Sequence, residues 1–179
     1  TAKLGCQVKI TKILVRNLEK AAKKVEDTSV LTTNWDDIAG DPSIDIVIEL
    51  IGGIEPARTY ILSALKAGKN VVTANKDLIA VHGKEILETA GESQKDFLFE
   101  AAVAGGIPII SPLKNSLEAN HVTEVMGIVN GTTNFILTKM SQEGMEFSDA
   151  LALATELGYA EADPTADIEG IDAGRKVAI

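Results

Sequence analysis

One cysteine, Cys6, stands in 179 residues. That excludes an internal disulfide framework and fits a reducing compartment, so the expected location is the cytoplasm. No apolar run approaches the roughly 20 residues that a membrane helix needs. The start, TAKLGCQVKITK, lacks the long apolar region of a signal peptide. Basic residues are outnumbered, 17 Lys and Arg against 26 Asp and Glu, for a net charge of −9. A sequence-independent hold on nucleic acid needs clustered cations, so nucleic acid is not an expected partner. Aromatics make up only 4%. The histidines, His82 and His121, have no partners at catalytic spacing, and Cys6 is badly placed for a thiol nucleophile. All three read as structural. The fingerprint G-x-G-x-x-G after a first strand is absent as well.

What is present is an alternation of apolar runs and amphipathic stretches. QVKITKILVRN, SVLTTN, IDIVIELIGG, NVVTAN and DFLFEAAVAGG read as strands. IDIVIELIGG is nearly continuous in its apolar character, the type buried on both faces of a parallel sheet. Between them LEKAAKKVED, WDDIAG, IEPARTYILSALKAG and KDLIAVHGKEILETAGES read as helices. Asn34 is the expected cap of the second, and Pro56 and Gly68 bracket the third. Gly83 is expected to break the fourth. Strands alternating with helices of this length predict a Rossmann-like, doubly wound parallel sheet. Its first strand and phosphate loop are expected to lie before Thr1. After GGIPII the pattern changes. HVTEVMGIVNG reads as a strand, and TTNFILTKMSQEG and EFSDALALATELG as helices, the latter capped by Ser148. The predicted division is therefore a dinucleotide-binding domain over 1–107, incomplete at its start, and part of an α+β substrate and dimerisation domain over 108–179. The end, GRKVAI, falls inside a helical pattern, so a longer protein is expected.

In an open α/β sheet, ligands bind where the strands end. Arg16 closes the QVKITKILVRN strand, at a position where an acid suits NAD and an arginine accommodates the 2′-phosphate of NADP. With no acid there, NADP is favoured over NAD. Gly52 and Gly53, and then Thr73, Asn75 and Lys76, fall at the ends of the next strands and complete the expected cofactor-binding set. Lys76 opens a helix, where a cation opposes the macrodipole unless an anionic group accompanies it. It is either an exposed first-turn residue or part of a site. The final segment carries Glu161, Asp163, Asp167, Glu169 and Asp172 ahead of Arg175 and Lys176. Asp172 and Lys176 share a helix face. Three readings remain open from spacing alone: a solvated ion pair, a polar pocket with a lysine proton donor, or a divalent metal site.

NVVTANK, EAAVAGGIPII, VMGIVNGTTNFILTKM and LGYAEADPTADIEGIDAGRKVAI, in that order, closely resemble the homoserine dehydrogenase family. The run from Gly158 to Lys176 is the most specific part. The resemblance implies NAD(P)-dependent interconversion of L-aspartate 4-semialdehyde and L-homoserine, on the way to threonine, methionine and isoleucine. It implies that Lys176 donates the proton to the aldehyde oxygen, that Lys76 lies at cofactor and substrate, and that Asp172 helps to hold Lys176. Glu161 would bind the substrate ammonium, with Asp167, Tyr159, Gly131 and Thr132 as further substrate contacts. A monovalent cation, Na⁺ or K⁺, would sit on backbone carbonyls of Glu100, Val103, Gly105 and Ile107. A homodimer or larger assembly is expected. The alternatives are another NAD(P)-dependent semialdehyde or hydroxy-acid dehydrogenase, and a non-catalytic NADP(H)-binding regulatory module.

Overall fold

A computed structural model describes residues 5–179. The chain forms two compact units. One runs up to Val72 and takes in Lys84–Leu98; the other comprises Thr73–Gly83 and Phe99–Ile179.

The first unit carries the βαβ pattern. Strand β1 (Ile13–Leu14) leads through α1 (Leu18–Ala22) to β2 (Leu31–Thr32), which pairs with it in parallel. Helix α2 (Asp36–Ala39) follows, then β3 (Ile46–Glu49), α3 (Ala57–Lys66), β4 (Asn70–Thr73), α4 (Lys76–Ser93) and β5 (Phe97–Leu98). The last three strands form a sheet in the order β3-β4-β5, with β4 parallel to β5. The parallel α/β class is as expected, but the described strands are short and fall into two sheets. Of QVKITKILVRN only Ile13–Leu14 is strand. β3 is not buried on both faces: it lies at a sheet edge, and Ile46 and Ile48 are 54% and 65% exposed.

Why α3 forms is plain from its spacing. Ala57, Ile61, Ala64 and Leu65 make one stripe and are fully buried. Gly68, at φ +78°, ends it in the left-handed conformation, with Lys69 N–H donating back to Ala64 O at 3.0 Å. Asn34 helps to start α2 from one residue further out than expected: Trp35 is the cap, and Asn34 Oδ1 accepts from Asp36 N–H at 3.2 Å. Helix α4 runs unbroken through Gly83. Its buried stripe of Leu78, Ile79, Ile86 and Ala90 continues across the glycine. A Cβ at Gly83 would stand 3.3 Å from Ile79 Cγ2, so the bare backbone suits a tight position.

The second unit is helical. β5 gives way at once to a 3₁₀ turn, Glu100–Ala102, and Pro112–Ser116 form a π-helical turn. Helices α5 (Gly131–Glu143) and α6 (Phe147–Glu156) pack through Ile136, Ala150, Ala154 and Ala160, flanked by Phe135, Met140, Met145 and Leu151. Ala150 and Ala154, one turn apart, give α6 a small face that lets α5 approach. The cap of α6 is Glu146, not Ser148. Helices α7 (Thr165–Ile168) and α8 (Ile171–Ala178) finish the chain and pack together. Residues 121–129 are not a strand, and Val125, Met126 and Ile128 stand exposed. A strand needs a ladder partner for its backbone groups, and none pairs with this segment among the described residues.

Candidate active site

The site begins where β4 ends. Thr73 Oγ1 accepts from Asn75 N–H at 2.9 Å, turning the chain. Asn75 Oδ1 then caps α4 by accepting from Leu78 N–H at 3.1 Å. Both side chains are buried. They leave Lys76 as the first residue of α4, with its ammonium on Asp172 Oδ1. Lys76 is thus no surface decoration, and the anionic group that its position called for is supplied from within the second unit.

Asp172 stands in the first turn of α8 and is 8% exposed. One turn on, Lys176 Nζ donates to Asp172 Oδ2 at 2.6 Å and to Val129 O at 2.5 Å. Asn130 Nδ2 donates to the same Oδ2 at 2.9 Å and to Asp167 Oδ1 at 2.7 Å. One carboxylate thus holds two ammonium groups and an amide. Burial pushes the Asp172 carboxyl up, but the hydrogen bonds from Lys176, Lys76 and Asn130 outweigh it and hold the group well below the usual carboxylate range. Asp172 remains ionised, and both lysines are pinned at their tips.

An open cleft of about 570 Å³ lies over this network. Lys76, Asp172, Lys176, Asp167, Glu161, Tyr159, Gly131 and Thr132 all line it, so these expected catalytic and substrate residues converge. Thr132 Oγ1 donates to Tyr159 O at 2.7 Å, tying the start of α5 to the loop that carries Glu161. The Tyr159 ring stacks on Phe135 with centroids 4.7 Å apart. Glu161 is exposed in the cleft. Arg175 Nη1 donates to Asp77 Oδ1 at 2.7 Å, a second link between α8 and the first turn of α4. The arrangement offers two ammonium groups held on one carboxylate at one end, each able to donate a proton, and free acceptor capacity on Glu161. Such a cleft suits a small zwitterion whose oxygen changes charge. Among the described residues, no group of three or more His, Cys, Asp or Glu side chains is placed to hold a metal ion.

Arg16, Gly52 and Gly53 belong to the first unit. Arg16 is exposed just past β1. Buried Glu49 ends β3, its Oε1 accepting from the N–H groups of Ile51 and Gly52 at 2.6 and 3.0 Å. Gly52 and Gly53 follow at φ +77° and +69°, with open space where a Cβ would be. A cation at one strand end and bare backbone at another fit a phosphate-bearing dinucleotide. The Glu100 loop lies in the second unit. The Glu100 carboxylate accepts from the N–H groups of Ile109, Ile110 and Ser111 at 2.5, 2.9 and 2.7 Å. These bonds, with one from the Ser111 side chain first among them, lower its pKa to about 2. Ile107 N–H returns to Ala104 O at 3.0 Å. Asn130, Asp77 and Arg175 complete the site without having been expected from the sequence. The cap position of Asn130, directly before a helical run, was the only signal any of them offered.

Comparison with known proteins bears on the whole chain. A family model described as homoserine dehydrogenase, NAD binding domain, matches residues 1–100, and one described as homoserine dehydrogenase matches residues 108–179. A curated homoserine dehydrogenase of Bacillus subtilis is 53% identical over 98% of this chain, which spans 41% of that relative. One from Synechocystis is 50% identical over 96% of the chain and 40% of its own length. Among solved structures, a homoserine dehydrogenase from Thiobacillus denitrificans superposes with a TM-score of 0.83 at 53% identity, covering 93% of this chain and 38% of that one. A hyperthermophilic archaeal homoserine dehydrogenase in complex with NADPH gives a TM-score of 0.71 at 34% identity, over 89% and 50% of the two chains. The chain therefore spans about two-fifths of the length of the curated relatives.

Proposed function

We propose a function from one premise: the chain belongs to the homoserine dehydrogenase family. It is the cofactor-facing and substrate-facing part of an enzyme that interconverts L-aspartate 4-semialdehyde and L-homoserine. The observation that carries this reading is the Asp172 carboxylate held between Lys76 and Lys176 beside a cleft that presents Glu161. A bound nicotinamide dinucleotide supplies the hydride chemistry.

The chain's own residues supply binding, charge and a proton. Glu161 takes the substrate ammonium through charge-assisted hydrogen bonds. Asp167, Tyr159 and the start of α5 at Gly131 and Thr132 orient the rest of the substrate. Lys176 gives a proton to the aldehyde oxygen in the reductive direction and recovers it in the oxidative one. Asp172 aims Lys176 and keeps its ammonium poised, while Lys76 adds positive charge where the oxygen becomes negative. Arg16, Gly52, Gly53, Thr73, Asn75 and Lys76 would hold the dinucleotide, and Arg16 would favour NADP by accommodating its 2′-phosphate. The carbonyls of Glu100, Val103, Gly105 and Ile107 take Na⁺ or K⁺ in a structural role. The enzyme works in the cytoplasm as a homodimer or larger assembly; no described helix is long and apolar enough to cross a membrane.

The test is spectrophotometric. The full-length protein is given L-homoserine as sole substrate with NADP⁺ or NAD⁺, against a panel of 2-hydroxy acids and amino alcohols lacking either the ammonium or the carboxylate. Reduction with homoserine, faster with NADP⁺ and lost without the substrate ammonium, is the expected result. A preference for a hydroxy acid without an ammonium group would replace this reading with that of a different dehydrogenase.

A further inference from the structure

We propose that Asn130 is a positioning residue of the site, whose carboxamide sets the carboxylates of Asp167 and Asp172 and through them the two lysines that share Asp172. The proposal rests on the homoserine dehydrogenase reading and extends it to a residue with no role so far beyond capping a helix.

Asn130 precedes α5 in an extended conformation, at φ −136° and ψ 119°, and is buried. Its four hydrogen-bonding valences are all in use. Oδ1 accepts from Thr133 N–H at 2.8 Å and from Thr133 Oγ1 at 2.9 Å. Nδ2 donates to Asp167 Oδ1 at 2.7 Å and to Asp172 Oδ2 at 2.9 Å. The backbone N–H of Thr133 can only donate, so the amide oxygen must face it. The NH₂ group is then committed to the two carboxylates. A helix cap needs only the oxygen, and Ser or Asp serves as well as Asn. Asn is the cap that also delivers two donors.

Those donors lie where the site needs them. The charged groups around the amide are Asp167 from α7, Asp172 and Lys176 from α8, and Lys76 from α4, which reaches the other oxygen of Asp172. The residue before it, Val129, gives its carbonyl to Lys176 at 2.5 Å. One dipeptide therefore fixes both members of the Asp172–Lys176 pair. Without the amide, Asp167 and Asp172 lose the donor that bridges them, and Asp172 loses the one neutral contact that orients it between two cations.

Two substitutions separate the cap from the positioning. Asn130→Asp keeps size and cap but sets a third carboxylate against two. Asn130→Ser keeps the cap alone. The full-length protein is followed by thermal unfolding, by ¹³C carboxyl NMR titration of Asp172, and by homoserine-dependent NADP⁺ reduction. Asn130→Ser is expected to lower kcat about tenfold and Asn130→Asp about a hundredfold, with KM for NADP⁺ unchanged. The Asp172 carboxyl is expected to titrate well below the usual carboxylate range in the parent, and measurably higher in Asn130→Asp, where a like charge replaces a donor. Unchanged titration, with kcat within about twofold in both variants, would overturn the proposal and leave Asn130 a cap alone. Should the parent fail to oxidise homoserine, the proposed function falls, and the titration decides the role of Asn130 by itself: a shift supports it and a flat profile overturns it. Should Asn130→Asp not fold, Asn130→Ser carries the same measurements.

Discussion

Lys69 in the first unit and Asp172 in the second are both nearly closed to solvent, at 3% and 8% exposure. Their partners differ in kind. Lys69 Nζ donates to backbone carbonyls, Asp41 O at 2.5 Å and Ile44 O at 3.1 Å, so it pins one stretch of chain to another. Asp172 is met by three side chains, Lys176 from its own helix and Lys76 and Asn130 from elsewhere, each facing a cleft. A buried charge satisfied by carbonyls stabilises a fold. A buried carboxylate shared by two ammonium groups at a cleft has the arrangement of a site for chemistry. Glu49, at the end of β3, likewise holds backbone amides, whereas Lys176 reaches both a carboxylate and the Val129 carbonyl beside the cleft.

The sharpest break in this comparison is Lys176→Ala. It is expected to lower kcat for homoserine oxidation by about three orders of magnitude, as loss of a proton donor does, and to lower the unfolding midpoint as well, because Asp172 and the Val129 carbonyl lose a donor. Steady-state rates and a thermal melt check both halves. Glu161→Gln is expected next: KM for homoserine rises about thirtyfold, because a charge-assisted contact to the ammonium is lost while the fold is untouched. Initial rates over a range of homoserine concentrations read this directly. Lys69→Met reverses the pattern. Leaving two carbonyls without a donor is expected to cost about 2 kcal/mol of stability with kcat essentially retained. Urea unfolding measures that cost.

The smallest effect is on pH dependence. The folded Asp172 carboxyl titrates below its unfolded value, so the unfolded state binds more protons on the acid side. Its contribution to stability is therefore complete above about pH 5 and is lost as pH falls from there towards the depressed folded value. Glu100, lowered to about 2, acts in the same direction. Asp172→Asn is expected to flatten the acid slope of unfolding free energy, and Lys69→Met to leave it unchanged, when denaturant curves are compared at several acid pH values.

The two units were not equally legible in the sequence. Helix α3 was, since its apolar stripe and flanking Pro56 and Gly68 are local signals. So was the Asp172–Lys176 pair, four residues apart on one helix. The bond from Lys76 to Asp172 spans 96 residues, and no spacing rule reaches that far. Only the family resemblance joined them. Asn130 was read as the end of a strand, whereas it caps α5, and its donors meet residues 37 and 42 positions away. Residues 121–129 show the opposite failure. Their composition suits a strand, but a strand is a pairing, and no partner lies beside them among the described residues. Gly83 misled because propensity weighed against the helix while the buried stripe on both sides of it carried α4 through.

The most direct test of the central claim, that one buried carboxylate organises two lysines for catalysis, is kcat for homoserine oxidation in full-length Asp172→Asn. The substitution preserves shape and removes the charge. A fall of about a hundredfold or more in a protein that still folds and binds NADP(H) is the expected result. A kcat within about twofold of the parent would show that the lysines do not depend on Asp172, and the contrast drawn with Lys69 would fail.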